Sequence, residues 1–458
     1  MAARCEASCP CRRYSRASMW AGFHRVAARI RAASPRAILL GAFALFAIYA
    51  FPGYMSSDSV LQLTEARSGH FTDGNPPLMA AEWWVLDRIV SGPILMLLLQ
   101  GALLLGGLYV LMRRLLEPRA AAWTSAGIFL FPPVLVVMAV IWKDSQMAAF
   151  LVAGIAAMIQ PRLRTRLVGL GLLVAACSLR HNALAAVVPL VAILFEWRPG
   201  LTWMKRLSIV AATAVVIVGA AFGLGRVLAA KHVRLTPVFN DIVGVIAYTD
   251  HRTDDDLRYV LRGVPLKISS GYQPQAEILC ELHDGWRVMT GDEAFFTPPA
   301  TDADWDALDR AWKELVLGDP MAYLSFHRAD FARLLGWGDH LWGPIWNRFL
   351  EAPDQMNWVD HDASYSWAQV EIGTRWFYWL VDHTALFHPH AYALLALILL
   401  ALCRDRLPVA IFASGLLYEL SFFPVDVEPE FRYSHWMVAS TCIALAILFV
   451  QRYRARRT

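Results

Sequence analysis

Charge is what this chain has least of. Only 17% of its 458 residues are Asp, Glu, Lys or Arg, whereas 57% are hydrophobic, and the mean hydropathy is +0.41. A soluble domain carries roughly a quarter of its residues as charges. The balance here excludes an ordinary soluble fold and points to a chain that crosses a bilayer several times. Cysteine is sparse as well. Cys5, Cys9 and Cys11 have no partner cluster at zinc-like spacing, and Cys177, Cys280, Cys403 and Cys442 are scattered, which excludes a disulfide framework. No histidine from His232 to His390 stands at a metal-ligand spacing, so no metal site is expected. Internal repeats are missing, and with them the symmetry usual in secondary transporters. Acids are nearly absent from the first 34 residues, where Glu6 stands alone among arginines. No small-residue cleavage site follows, so residues 1–35 read as a basic cytosolic tail ahead of a membrane anchor, or as an over-long start with Met19 as initiator.

What the chain does have is apolar runs. On the rule of about 20 residues per crossing, spans are expected near 36–54, 92–112, 120–140, 145–160, 166–180, 182–197, 207–228, 388–403, 407–423 and 434–451. The expected class is an all-α polytopic membrane protein of about ten transmembrane helices, with a mainly helical soluble outer (periplasmic) domain. The organisation is then an N-terminal membrane module over 36–228 with a first outer loop at 55–91, an outer domain over 229–387, and C-terminal helices over 388–458.

The charges fall in blocks that support this order. Lys231 to Asp382 holds 13 basic and 24 acidic residues, net −11, which leaves +15 for the rest of the chain. Alternate connections are basic, at Arg113-Arg114, Arg162-Arg164, Lys205-Arg206, Arg404-Arg406 and Arg452-Arg454, as the positive-inside rule requires for a cytosolic N-terminus. The remaining connections then share the outer side, and every polar cluster of chemical interest lies in one of them.

The first outer loop runs Ser56 to Leu78 and holds Asp58, Glu65, His70 and Asp73 beside a membrane boundary. Carboxylates at that depth are costly. Asp58 is either the cap of an amphipathic helix or a working acid. Trp83 and Trp84, in the following amphipathic piece, suit interfacial anchoring. Lys143 and Asp144 open the fourth span, and either pair with each other or face a ligand. Arg180, His181 and Asn182 interrupt a long apolar run; Arg180 is favoured there by the helix dipole and is equally suited to bidentate phosphate contact. The last outer loop, Phe423 to Trp436, packs Asp426, Glu428, Glu430, Arg432, Tyr433 and His435 together, with Arg432 and Tyr433 nearest the membrane. In the outer domain, Thr301 to Leu317 and Asp319 to Gly336 read as two capped amphipathic helices. The tryptophans from Trp337 to Trp367 suit a packed seam against the membrane, or stacking on sugar rings.

Asp58 just past the first span, Asp73-Gly74-Asn75-Pro76-Pro77, Trp142-Lys143-Asp144, Arg180-His181-Asn182-Ala183, Gly318-Asp319-Pro320 and Arg432-Tyr433 together resemble the bacterial GT-C type glycosyltransferases. Similar proteins are the protein mannosyltransferase and lipid A aminoarabinose transferase relatives. The resemblance covers most of the chain in layout, through short motifs. It implies inverting transfer of a sugar from a polyprenyl-phosphate donor to an envelope lipid, glycan or protein at the outer face of a bacterial plasma membrane. That donor is a substrate; no resident cofactor is implied, a divalent metal requirement stays open, and no nucleic acid partner is expected. Asp58 would be the base, with burial raising its pKa towards working pH. Lys143, Arg180 and Arg432 would stabilise the departing phosphate, with His181, Asn182 and Tyr433 beside them. The family often shows an acidic pair in the first loop, whereas Ser57 and Ser59 flank Asp58 here. Either Asp58 acts alone, or Asp73 or Asp144 supplies the second carboxylate. The alternatives are a lipid-linked glycan polymerase or ligase, and a lipid-linked substrate transporter or flippase.

Overall fold

The computed structural model describes residues 33–72, 74, 76–195, 200–229, 237–267, 295–337, 343–346, 350–354, 357–360, 369, 371–425 and 429–455. The expectations for the basic tail, Asp73, Asn75, Asp426, Glu428 and the tryptophans Trp342 and Trp367 lie outside them. The described residues are helical apart from one antiparallel hairpin, Leu350–Asp354 with Asn357–Asp360, and two isolated bridges.

The N-terminal half is α1 (Pro35–Ala50), α2 (Ser57–Ser68), α3 (Leu78–Asp87), α4 (Ile94–Arg113), α5 (Pro118–Phe129), α6 (Pro132–Met138), α7 (Lys143–Met158), α8 (Leu163–Leu179), α9 (Ala183–Leu194) and α10 (Trp203–Leu228). The outer block contributes α11 (Pro237–Tyr248), α12 (Asp254–Val260), α13 (Asp302–Gly318) and α14 (Pro320–Leu334), followed by the short α15 (Tyr378–His383). The chain closes with α16 (Pro389–Leu402), α17 (Arg406–Leu420) and α18 (His435–Ala455).

Among the described residues three helical runs are long and apolar enough to cross a membrane: Ile94–Arg113, Trp203–Leu228 and Phe431–Ala455. The others differ from the expected lengths. At 1.5 Å per residue the 16 residues of α1 reach about 24 Å, short of a hydrocarbon core near 30 Å. The run at 120–140 is not one straight span. Its halves, α5 and α6, meet at 70°. Pro132 and Pro133 cannot donate backbone hydrogen bonds to the preceding turn, and Phe131, held extended before Pro132, ends the first helix.

The second half, α6, stops at Met138, and its last carbonyls with those of the turn before α7 lie in a buried place, where each is answered. Ser145 Oγ donates to Val137 O at 2.6 Å, and Gln100 Nε2 to Met138 O at 2.6 Å and Val140 O at 2.9 Å. Tyr54 N donates to Ala139 O at 3.0 Å, and Ser59 Oγ to Ile141 O at 2.8 Å. The bond from Ile141 N back to Tyr54 O, at 2.9 Å, completes a parallel bridge. Buried backbone without such partners would cost several kcal/mol per group. The same bonds fasten the first outer loop to the turn that carries Lys143 and Asp144.

Two apolar cores result. One joins α1 to α10 with the C-terminal helices; the other lies between α11, α12 and α13, around Ile242, Val245, Leu308 and Leu315. Thr301 and Asp319 cap α13 and α14 through their side chains, as their sequence positions predict. Trp346 packs on the first core: its Nε1 donates to Met55 O at 3.1 Å and its ring lies 6.5 Å from that of Trp142.

Candidate functional site

Helix ends determine where the polar residues meet. Ser56 occupies the N-cap of α2, its N–H donating to Ser59 Oγ at 3.1 Å, and Trp142 Nε1 donates to Ser56 Oγ at 2.7 Å. Asp58 is therefore not the cap. It stands in the first turn of α2 and directs its carboxylate to Arg432, with Nη1 to Oδ2 at 2.5 Å. Arg432 belongs to the single turn Phe431–Ser434 just ahead of α18, and its Nε contacts the Glu430 carboxylate. One guanidinium thus lies between two acids drawn from opposite ends of the sequence.

Asp144, one residue into α7, is wholly buried and meets Arg180 Nε at 2.7 Å, where α8 ends. Asp144 thus pairs with Arg180, a partner that neither expectation for the Lys143-Asp144 turn named. Taking two such charges out of water costs several kcal/mol per ion, which only close contact offsets. Lys143 is half-buried and interacts electrostatically with Asp58 and Asp144. Tyr433 joins the two halves: the Arg180 guanidinium lies 4.4 Å over its ring, and Arg432 Nη2 reaches its hydroxyl at 3.4 Å. Arg432 also lies 5.0 Å over the Trp142 ring.

Burial is graded across the cluster. The Asp58 and Glu430 side chains are each 29% exposed, whereas Arg432 and Arg180 retain 8% and 10% and Asp144 none. Acids line the open side, and both guanidinia lie beneath them. The electrostatics correct one expectation. Burial does push the Asp58 carboxyl up, but Arg432, then Lys143 and Arg180, outweigh it and hold the carboxyl well below the usual range. Glu430 goes the other way, raised by burial and by Asp58 and Asp144 against the pull of Arg432.

Asp58, Lys143, Asp144, Arg180, Arg432 and Tyr433 come together. His181 is exposed and stacks on Phe222 of α10 at 4.8 Å, and Asn182 sits at the N-cap of α9 without a side-chain capping bond. Glu430 was named in sequence only as one charge among several in a short loop, and its two-residue spacing from Arg432 was the one available signal. Gln100, Ser59 and Ser145 left no signal at all, since their task is to answer carbonyls at the end of α6 and in the turn before α7. Among the described residues no three His, Cys, Asp or Glu side chains are grouped so as to hold a metal ion.

No family model, curated protein or solved structure matches this chain at a significant level. What the site can do rests on its own geometry. It presents two partly open carboxylates over buried guanidinia, an arrangement able to hold an anion beside a proton acceptor.

Proposed function

We propose that the protein is an inverting glycosyltransferase of GT-C-like fold. It would move a sugar from a polyprenyl-phosphate donor to a hydroxyl of an envelope lipid, glycan or protein, at the outer face of a bacterial plasma membrane. The observation that carries this reading is the Asp58–Arg432 contact within a cluster that also holds Lys143, Arg180 and Asp144. In the reaction the acceptor oxygen bonds to the anomeric carbon while the bond from that carbon to the phosphate oxygen breaks. The phosphate leaves with the electron pair, stabilised by Arg432, Arg180 and Lys143. Asp58 takes the acceptor proton.

A carboxylate held low by three cations is a poor base while unliganded. Phosphate binding to those cations would relieve that pull and raise the basicity of Asp58 when the acceptor arrives. His181 and Asn182 are proposed to border the donor site, and Asp73 to supply a second carboxylate.

The topology belongs to the same proposal. Ten crossings with both termini cytosolic are supported by the basic residues at the helix ends away from the cluster. Arg206 donates to Ala192 O and Ile193 O, each at 3.1 Å, and Arg406 to Ile193 O at 2.8 Å, which satisfies the last carbonyls of α9.

Purified Asp58→Asn should transfer labelled sugar from a polyprenyl-phosphate donor to envelope extract about 100-fold more slowly than wild type when both are assayed well below their melting temperatures. Transfer at the native rate would remove Asp58 as the base. Wild-type protein that moves the labelled lipid across proteoliposomes without transferring its sugar would replace the enzyme by a transporter. Mass spectrometry of envelope glycans with and without the protein would identify sugar and acceptor.

A further inference from the structure

Among the described residues, six charged side chains meet at the site and their formal charges cancel. Arg180, Arg432 and Lys143 are balanced by Asp58, Asp144 and Glu430. A neutral cluster of this kind poses a problem for an anionic ligand. Each negative charge that arrives in a poorly hydrated site must be compensated, or it repels the acids already there.

The three acids are not equally able to help. Asp144 is enclosed against Arg180. Asp58 carries the attraction of three cations. Glu430 stands at the rim: it faces Arg432 from its own turn, Asp58 from α2 and Asp144 from α7, and the carboxyl lies beside Gly343, which brings no charge. It therefore has one attractive partner against two like charges. Protonating Glu430 leaves Arg432 paired with Asp58 and releases the Nε side of the guanidinium for a phosphate oxygen.

We propose that Glu430 is the specificity-determining acid of this site: it takes up one proton when a singly charged phosphodiester binds at Arg432, and so admits a phosphodiester in preference to a diphosphate. The inference rests on the phosphate-binding reading of the cluster. A diphosphate brings at least one charge more, and the second proton would have to go to Asp58, which three cations attract, or to Asp144, which is enclosed against Arg180. The proton comes from solvent, and no bond other than the carboxyl O–H forms.

Two sugar-free probes separate the cases: farnesyl methyl phosphate, a singly charged diester, and farnesyl diphosphate. Calorimetric titration of the detergent-purified full chain, in two buffers of different ionisation heat, should show uptake of about one proton per diester at pH 8. Its affinity should fall up to about tenfold per pH unit above neutrality. In Glu430→Gln the uptake and the pH slope for the diester should vanish, with the diester bound at pH 8 more tightly than by the wild type, while the diphosphate still needs a proton of its own; Glu430→Asp should restore the uptake. Proton uptake by the wild type tests the idea even if a variant folds poorly. Diester binding without uptake, or a pH slope that survives in Glu430→Gln, would overturn the role of Glu430 while sugar transfer by the wild type left the transferase reading standing. If the wild type bound neither probe at any pH, both would fall together.

Discussion

At the residue scale, the site is a set of buried charges whose cost is met by pairing, and Glu82 shows what happens without it. This side chain, on α3, has an enclosed Oε2 with no hydrogen-bond partner, and burial pushes its carboxyl up to about 7. The sign follows directly. An acid whose folded pKa lies above its unfolded value near 4.5 binds more protons when folded, so stability is highest below the unfolded value and falls as pH rises through about 7. Glu82→Gln should therefore raise the melting temperature at pH 8 by roughly a few degrees and leave it unchanged near pH 4. Thermal unfolding in one detergent at the two pH values checks this. Asp58 lies at the opposite extreme, since three cations hold it ionised. Of the two, only Asp58 is marked out in the sequence, as an acid beside an apolar run. The direction of either shift is not legible there, because it depends on which partner the fold delivers.

At the scale of elements, the deciding feature is where α6 stops. Its last carbonyls and those of the turn before α7, residues 137–141, have no helical partners of their own. Donors from α2, α4 and α7 and the backbone of Tyr54 take them up. Gln100 answers two of these carbonyls from within a run of leucines, at 2.6 Å and 2.9 Å. Gln100→Leu should cost about 1–3 kcal/mol of stability by stranding Met138 O. It should also slow sugar transfer more than it weakens donor binding, since the displaced turn carries Lys143 and Asp144. Melting curves and separate determination of kcat and KM would check both. The crossing of α7 and α8 is close for a related reason. A Cβ on Gly169 would lie 2.8 Å from Gly154 O and 2.8 Å from Met158 N, so only glycine lets the backbones approach. These two helices carry Asp144 and Arg180, which meet because the crossing is tight.

At the scale of the whole molecule, the arrangement is a bundle whose basic ends lie away from its mixed-charge cluster. The proposed orientation predicts which residues can be labelled from outside. With the native cysteines replaced, Ser57→Cys, at an exposed position on α2, should react with a membrane-impermeant maleimide in intact cells. Arg164→Cys, at the other end of the bundle, should react only after permeabilisation. The reverse pattern would invert the topology and with it the face on which the donor is met.

The amino-acid sequence alone determined the class of molecule, because 57% hydrophobic residues and long apolar runs are stable only where much of the surface avoids water. It also singled out Asp58, Lys143, Asp144, Arg180 and Arg432, since a charge at the end of an apolar run stands out whatever its partner is. Pairing was beyond its reach. Asp144 is adjacent to Lys143 in the chain yet meets Arg180, 36 residues away, and Asp58 meets Arg432 across 374 residues. Only the tertiary structure decided these partners, and hence the low Asp58 pKa and the place of Glu430. An ionisable group in a poorly hydrated interior is governed by the few charges within several ångströms of it, and long-range helix packing chooses those.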